Sequence, residues 1–145
     1  MATNFFKQQT GTIAYDDLGS GPLIICVPSM GDLRQEYRFL SQQLAEAGYR
    51  TVSMDVRGHG ETSTGWSDYS VAGVGADIIG LIQHLNAGPA FIVGESMAAG
   101  AAIWAAAEAP EFVRGLVLIW PFSRGGGPPL LQLLFRIMLA RPWGP

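Results

Sequence analysis

A chain of 145 residues is the length of one domain and can bury a real core. Hydrophobic residues make up 48% and charged residues only 14%, against roughly 25% charged in ordinary soluble domains, which excludes disorder. A net charge of −3 leaves no electrostatic footprint for nucleic acid, and the single cysteine, Cys26, excludes an internal disulfide and a cysteine-built metal set.

The first residues, Met1-Ala2-Thr3-Asn4-Phe5-Phe6-Lys7, lack the basic-then-apolar layout of a signal peptide. No run of apolar residues is long enough to span a bilayer, so a soluble, cytoplasmic protein is expected. Residues 4–10 and 12–16 read as an opening hairpin-like pair, closed by Gly19-Ser20-Gly21-Pro22. Leu23-Ile24-Ile25-Cys26-Val27 is a continuous apolar run, the pattern of a strand covered on both faces. Asp32 then predicts the N-cap of a helix carrying Leu33, Tyr37, Leu40 and Leu44, stopped by Gly48.

Thr51 to Val56 is the next strand, followed by a polar, glycine-rich loop. A helix from about Ser70 to Asn86 sets Val71, Val74, Ile78, Leu81, Ile82 and Leu85 on one face. Ala90-Phe91-Ile92-Val93 is a buried-type strand, and an alanine-rich helix runs on to Ala109 before Pro110. Leu116 to Trp120 is the last core strand. Gly125-Gly126-Gly127-Pro128-Pro129 reads as a hinge. The apolar helix over 130–140, roughly 16 Å long at 1.5 Å per residue, is too short to cross a bilayer and suits a cap or lid. Strands alternating with helices predict an α/β fold with a mostly parallel sheet. A core over 1–124 would precede a hinge and first cap helix over 125–145.

Gly94-Glu95-Ser96-Met97-Ala98 joins a strand to a helix, the setting in which a tight elbow lifts a serine hydroxyl clear of the sheet. The turn demands small residues two before and two after the serine, and Gly94 and Ala98 meet that demand. With these residues the sequence resembles the α/β-hydrolase superfamily, over essentially its whole length but only across the first half of that fold. Asp55-Val56-Arg57-Gly58-His59-Gly60-Glu61-Thr62-Ser63 is similar to the family's loop after the fourth strand. Val27-Pro28-Ser29-Met30-Gly31-Asp32 stands in the place of its oxyanion loop, with Pro28-Ser29 where some members have His-Gly.

The resemblance implies Ser96 as nucleophile and the backbone N–H groups of Met30 and Met97 as oxyanion donors. It implies a turn-stabilising role for His59 and an anchoring role for Asp55. A serine at the elbow, where an aspartate would be needed, argues against epoxide hydrolase or dehalogenase chemistry. Ester, C–C bond hydrolysis and perhydrolysis share such a serine, and ester is the broadest class. No metal or organic cofactor is implied. Gly73-Val74-Gly75 lacks the preceding strand of a dinucleotide site.

A serine needs a base, and the base an orienting acid; in this family they follow in the order serine, acid, histidine. After Ser96 the acids are Glu108 and Glu111, and no histidine follows, since His59 and His84 both precede it. The triad therefore cannot close within residues 1–145. A serine hydrolase of ester-like small molecules is expected, its acid and histidine supplied by sequence outside this chain, most simply a complementary polypeptide. The alternative expectation is a catalytically incomplete binding or assembly half, pairing through the 116–120 edge and the 130–140 helix. Residues 1–111 carry five basic and twelve acidic side chains, whereas 112–145 carry four arginines and no acid.

Overall fold

The structure, a computed structural model, describes residues 3–8, 10–121, 129–130 and 133–134. Residues 125–128 of the hinge read over 125–129, most of the helix read over 130–140 and the boundary at 124/125 lie outside the described residues. Among the described residues no helix is long and apolar enough to cross a membrane.

Six strands form one mixed, mostly parallel sheet. Strand β1 (Asn4–Gln8) pairs antiparallel with β2 (Gly11–Gly19), which pairs antiparallel with β4 (Arg50–Met54). From there β4, β3 (Leu23–Val27), β5 (Ala90–Glu95) and β6 (Val113–Ile119) run parallel, giving the order β1-β2-β4-β3-β5-β6.

Strand side chains alternate between faces, and β3 shows why its run is apolar throughout. Leu23, Ile25 and Val27 join a large core under helices α2 (Val71–Leu85) and α3 (Met97–Glu108), while Ile24 and Cys26 join a smaller one with Tyr37 and Val93. Ile78 and Leu81 of α2 are wholly buried, each contributing roughly 1.5–3 kcal/mol. Helix α3 reaches α2 closely because Ala98, Ala101, Ala102 and Ala105 are small and Gly75 leaves room for the Trp104 ring. The Cys26 thiol is wholly buried, and that burial pushes its pKa up to about 12.

Helix α2 begins as read: Ser70 accepts the Gly73 N–H at 3.1 Å, and Asn86 ends the helix in the left-handed conformation. Asp32 is not a helix cap. One 3-10 turn, Arg34–Tyr37, precedes helix α1 (Arg38–Glu46), and neither start has a side-chain cap. Leu33 and Leu40, read as inward-facing, are exposed, because Arg34 is drawn inward to Asp55 and Tyr37 bonds the Val27 carbonyl at 3.0 Å. Strand β2 is longer than the 12–16 read for it, β4 ends before Asp55, and β6 starts three residues earlier than expected. As expected, β6 is an edge strand, with Val117 51% exposed.

Candidate active site

The apolar run of β5 ends at Gly94-Glu95, and the chain turns at Ser96 with φ +53° and ψ −113° before α3 begins. A positive φ on a residue with a Cβ costs of order 1–3 kcal/mol and persists only where the surroundings over-determine it. Here they do. The Ser96 N–H donates to the Ile119 carbonyl at 2.9 Å, tying the elbow to β6. A Cβ at Gly94 would stand 2.7 Å from the Ala98 carbonyl oxygen and 2.9 Å from the Ala99 nitrogen, so glycine is required there. Ala98 is itself wholly buried.

Val27 of β3 is in register with Gly94 of β5, so the loop that leaves β3 lies beside the elbow. Successive connections diverge between these two strands, the topological switch point at which open α/β sheets bind ligands. In that loop the Asp32 N–H donates to the Ser29 carbonyl at 3.1 Å and Gly31 has φ +95°, the signature of a type II turn. Met30 is 52% exposed, whereas Met97 is half-buried and packs on the main core.

The loop after β4 is held from beneath. Asp55, wholly buried, accepts the Arg34 N–H at 2.8 Å, the Glu61 N–H at 3.1 Å and the Arg34 guanidinium. Arg34 also reaches Asp16 at 3.1 Å and Glu61. Burial opposes its charge, but hydrogen bonds to Glu61 and Asp16 and the Asp55 charge outweigh that and raise its pKa. A Cβ on Gly60, whose φ is +53°, would overlap the Asp55 carboxylate. Arg57 is clamped by Asp77 at 2.5 and 2.8 Å, donates to the Asp68 carbonyl at 2.8 Å and lies 4.4 Å over the Trp66 ring. Asp55 thus stands as an anchor of this loop.

Neither histidine is hydrogen-bonded to Ser96 among the described residues. His59 accepts the Gly31 N–H at Nε2, 3.1 Å, and its Nδ1 lies 3.0 Å from the Arg57 carbonyl. His84 stacks on Phe6 with centroids 5.3 Å apart and meets the Tyr15 hydroxyl at 3.5 Å. Glu108 and Glu111 are exposed at the far end of α3. Among the described residues no group of three His, Cys, Asp or Glu side chains could hold a metal ion.

Sequence reasoning missed Glu36. Its carboxyl, on the turn before α1, interacts with that of Glu95, beside Ser96. Partial desolvation, the interaction with Glu95 and repulsion from Glu95 and Asp32 raise its pKa to about 7, although its side chain is exposed. No spacing in the sequence announces this pair, which is made by a long-range approach of two elements.

A family model described as alpha/beta hydrolase fold matches residues 22–136. The chain belongs to the alpha/beta hydrolase family. It is 32% identical over 108 residues to a 2-(acetamidomethylene)succinate hydrolase of Mesorhizobium japonicum, across 74% of this chain and 38% of that protein. It is 29% identical over 102 residues to an epoxide hydrolase 2 of Siraitia grosvenorii, across 69% of this chain and 32% of that one. Among solved structures, a thioesterase domain from the curacin biosynthetic pathway superposes with a TM-score of 0.80 at 26% identity. That match covers 96% of this chain and 53% of the other. The chain spans well under half the length of these two sequence relatives. Its named relatives in this family include hydrolases.

Proposed function

We propose that this chain carries the nucleophile half of a serine hydrolase acting on ester-like carbonyl substrates. Ser96 gives its hydroxyl proton to the histidine and attacks the carbonyl carbon, and the N–H groups of Met97 and Met30 receive the negative oxygen. The ester C–O bond breaks as the alcohol leaves with that proton. Water then cleaves the acyl–Ser96 ester to release the acid and restore the serine hydroxyl. The observation that carries this reading is the strained Ser96 elbow, at φ +53°, beside the type II turn after β3. The serine separates this site from the aspartate-based chemistries of the same fold. The acid and the histidine come from sequence outside residues 1–145, since both histidines here are committed to other partners.

Replacing Ser96 by alanine in the complete enzyme should lower hydrolysis of a p-nitrophenyl ester by at least about a thousandfold, with the fold retained. The same variant should lose labelling by a fluorophosphonate. Turnover that survives S96A refutes the assignment.

A second reading is favoured by the β6 edge. Val117 and Trp120 are 51% and 83% exposed, and an apolar groove beside them is lined by Leu40, Leu44, Phe91, Val93 and Ile119. In that reading the chain is an assembly half that docks a complementary polypeptide there and has no turnover of its own. Turnover of the isolated assembly separates the two: S96A-sensitive ester hydrolysis supports the first reading, and a partnered assembly with none supports the second. Native mass adds one check: identical copies alone leave Ser96 without a base.

A further inference from the structure

We propose that Trp120 is a specificity-determining residue of the serine site, its indole forming the wall on which the apolar group carried by the substrate's carbonyl carbon packs. This inference rests on the serine-hydrolase reading above and adds the class of substrate, esters that bear an alkyl chain of several carbons.

The sheet order puts Trp120 across Ser96 from the oxyanion loop. Strand β5 lies between β3 and β6, and Glu95 is in register with Ile119. Trp120, the first residue beyond β6, therefore leaves the sheet at its carboxyl end, the side on which open α/β sheets bind ligands. The Ile119 carbonyl accepts the Ser96 N–H at 2.9 Å, so covalent geometry keeps the Cα atoms of Ser96 and Trp120 within about 7 Å of each other. An indole extends roughly as far from its own Cα, which puts a group bonded at Ser96 within its reach. With the negative oxygen turned toward Met30 on the β3 side, the other substituents of the carbonyl carbon project away from β3, toward β6.

No packing role in the described fold accounts for this indole. Leu116 and Leu118 pack against the main core and Ile119 against the smaller one, whereas Trp120 is 83% exposed. Among the described residues it makes no hydrogen bond, ring stack or cation contact. Its backbone is nevertheless held at φ +49°, an outlier for a bulky residue. Pro121 adds to the conflict, because a proline steers the residue before it toward extended backbone, near about −120°. Glycine would take that φ without strain. Strain of this kind gathers at ligand sites, and here it holds a large apolar surface in water beside the nucleophile. An alkyl chain laid on that surface removes both from water.

The test uses three esters with the complete enzyme, methyl acetate, methyl hexanoate and hexyl acetate, with hydrolysis followed by pH-stat. The wild type should favour a long ester in kcat/KM, and W120A should cut that preference roughly tenfold while W120F retains most of it. A cut on methyl hexanoate assigns the acyl chain to Trp120, and a cut on hexyl acetate assigns the alcohol. W120G, free of strain at that φ, should melt no lower than the wild type. In S96A labelled with 5-fluorotryptophan, at least one long ester should shift the Trp120 fluorine resonance, identified by its loss in W120F. An unchanged preference in W120A, an equal loss on all three esters, a lower melt for W120G or a resonance unmoved by both long esters overturns the proposal. Turnover surviving S96A defeats the serine reading instead, and the Trp120 resonance then still decides whether an apolar chain packs there.

Discussion

Replacing Asp55 by asparagine keeps the shape of the side chain and removes its charge and one acceptor. The native carboxylate is wholly buried and takes three donors: the Arg34 and Glu61 amides and the Arg34 guanidinium. Whichever way the new amide is turned, its NH2 group faces at least one donor. Breaking a buried pair from one side costs about 3–5 kcal/mol, and Arg34 keeps Asp16 and Glu61, which favours the lower end, about 3 kcal/mol. At about 2.1 cal/mol/K per residue, 145 residues unfold with about 0.3 kcal/mol/K, so Tm should fall by about 10 °C. The assay is a thermal and urea melt followed by far-ultraviolet circular dichroism, with m unchanged if the native fold is retained. A loss below about 1 kcal/mol, typical of exposed ion pairs, would refute the view that this network anchors both active-site loops.

Two further outcomes follow from the same site. Gly94→Ala should destabilise by about 1–3 kcal/mol through the collision with the Ala98 carbonyl; a melt unchanged within error would mean the elbow relaxes freely. Glu36 has a pKa raised from 4.5 to about 7, so between those values the folded protein holds a proton that the unfolded chain has released. Stability therefore falls as pH rises through that window, by under about 1 kcal/mol because the residue is largely exposed to solvent screening. E36Q should flatten that slope between pH 5 and 8, and an identical slope in E36Q would assign it to another group.

Much of the architecture was legible because it is written in local pattern. The apolar run at 23–27, the helical spacing from Val71 to Leu85, and the alanines after Ser96 each report the surroundings of their own element. The elbow was legible for the same reason, since the crowding that requires Gly94 and a small residue at position 98 acts within five residues. Asp32 misled because a good capping residue is a local preference, and the buried Arg34–Asp55 pair overrode it across 21 positions.

By itself the sequence determined the strand–helix alternation and the strand–serine–helix elbow, because each depends on residue type at short spacing. Only the tertiary structure decided where Asp55, Asp77 and Glu36 find their partners, and that His59 reaches the turn at Gly31. Those pairings join segments brought together by the parallel order of β4, β3 and β5. A buried charge or a bound ring nitrogen is specified by what faces it in space, and no periodicity along the chain encodes that neighbour.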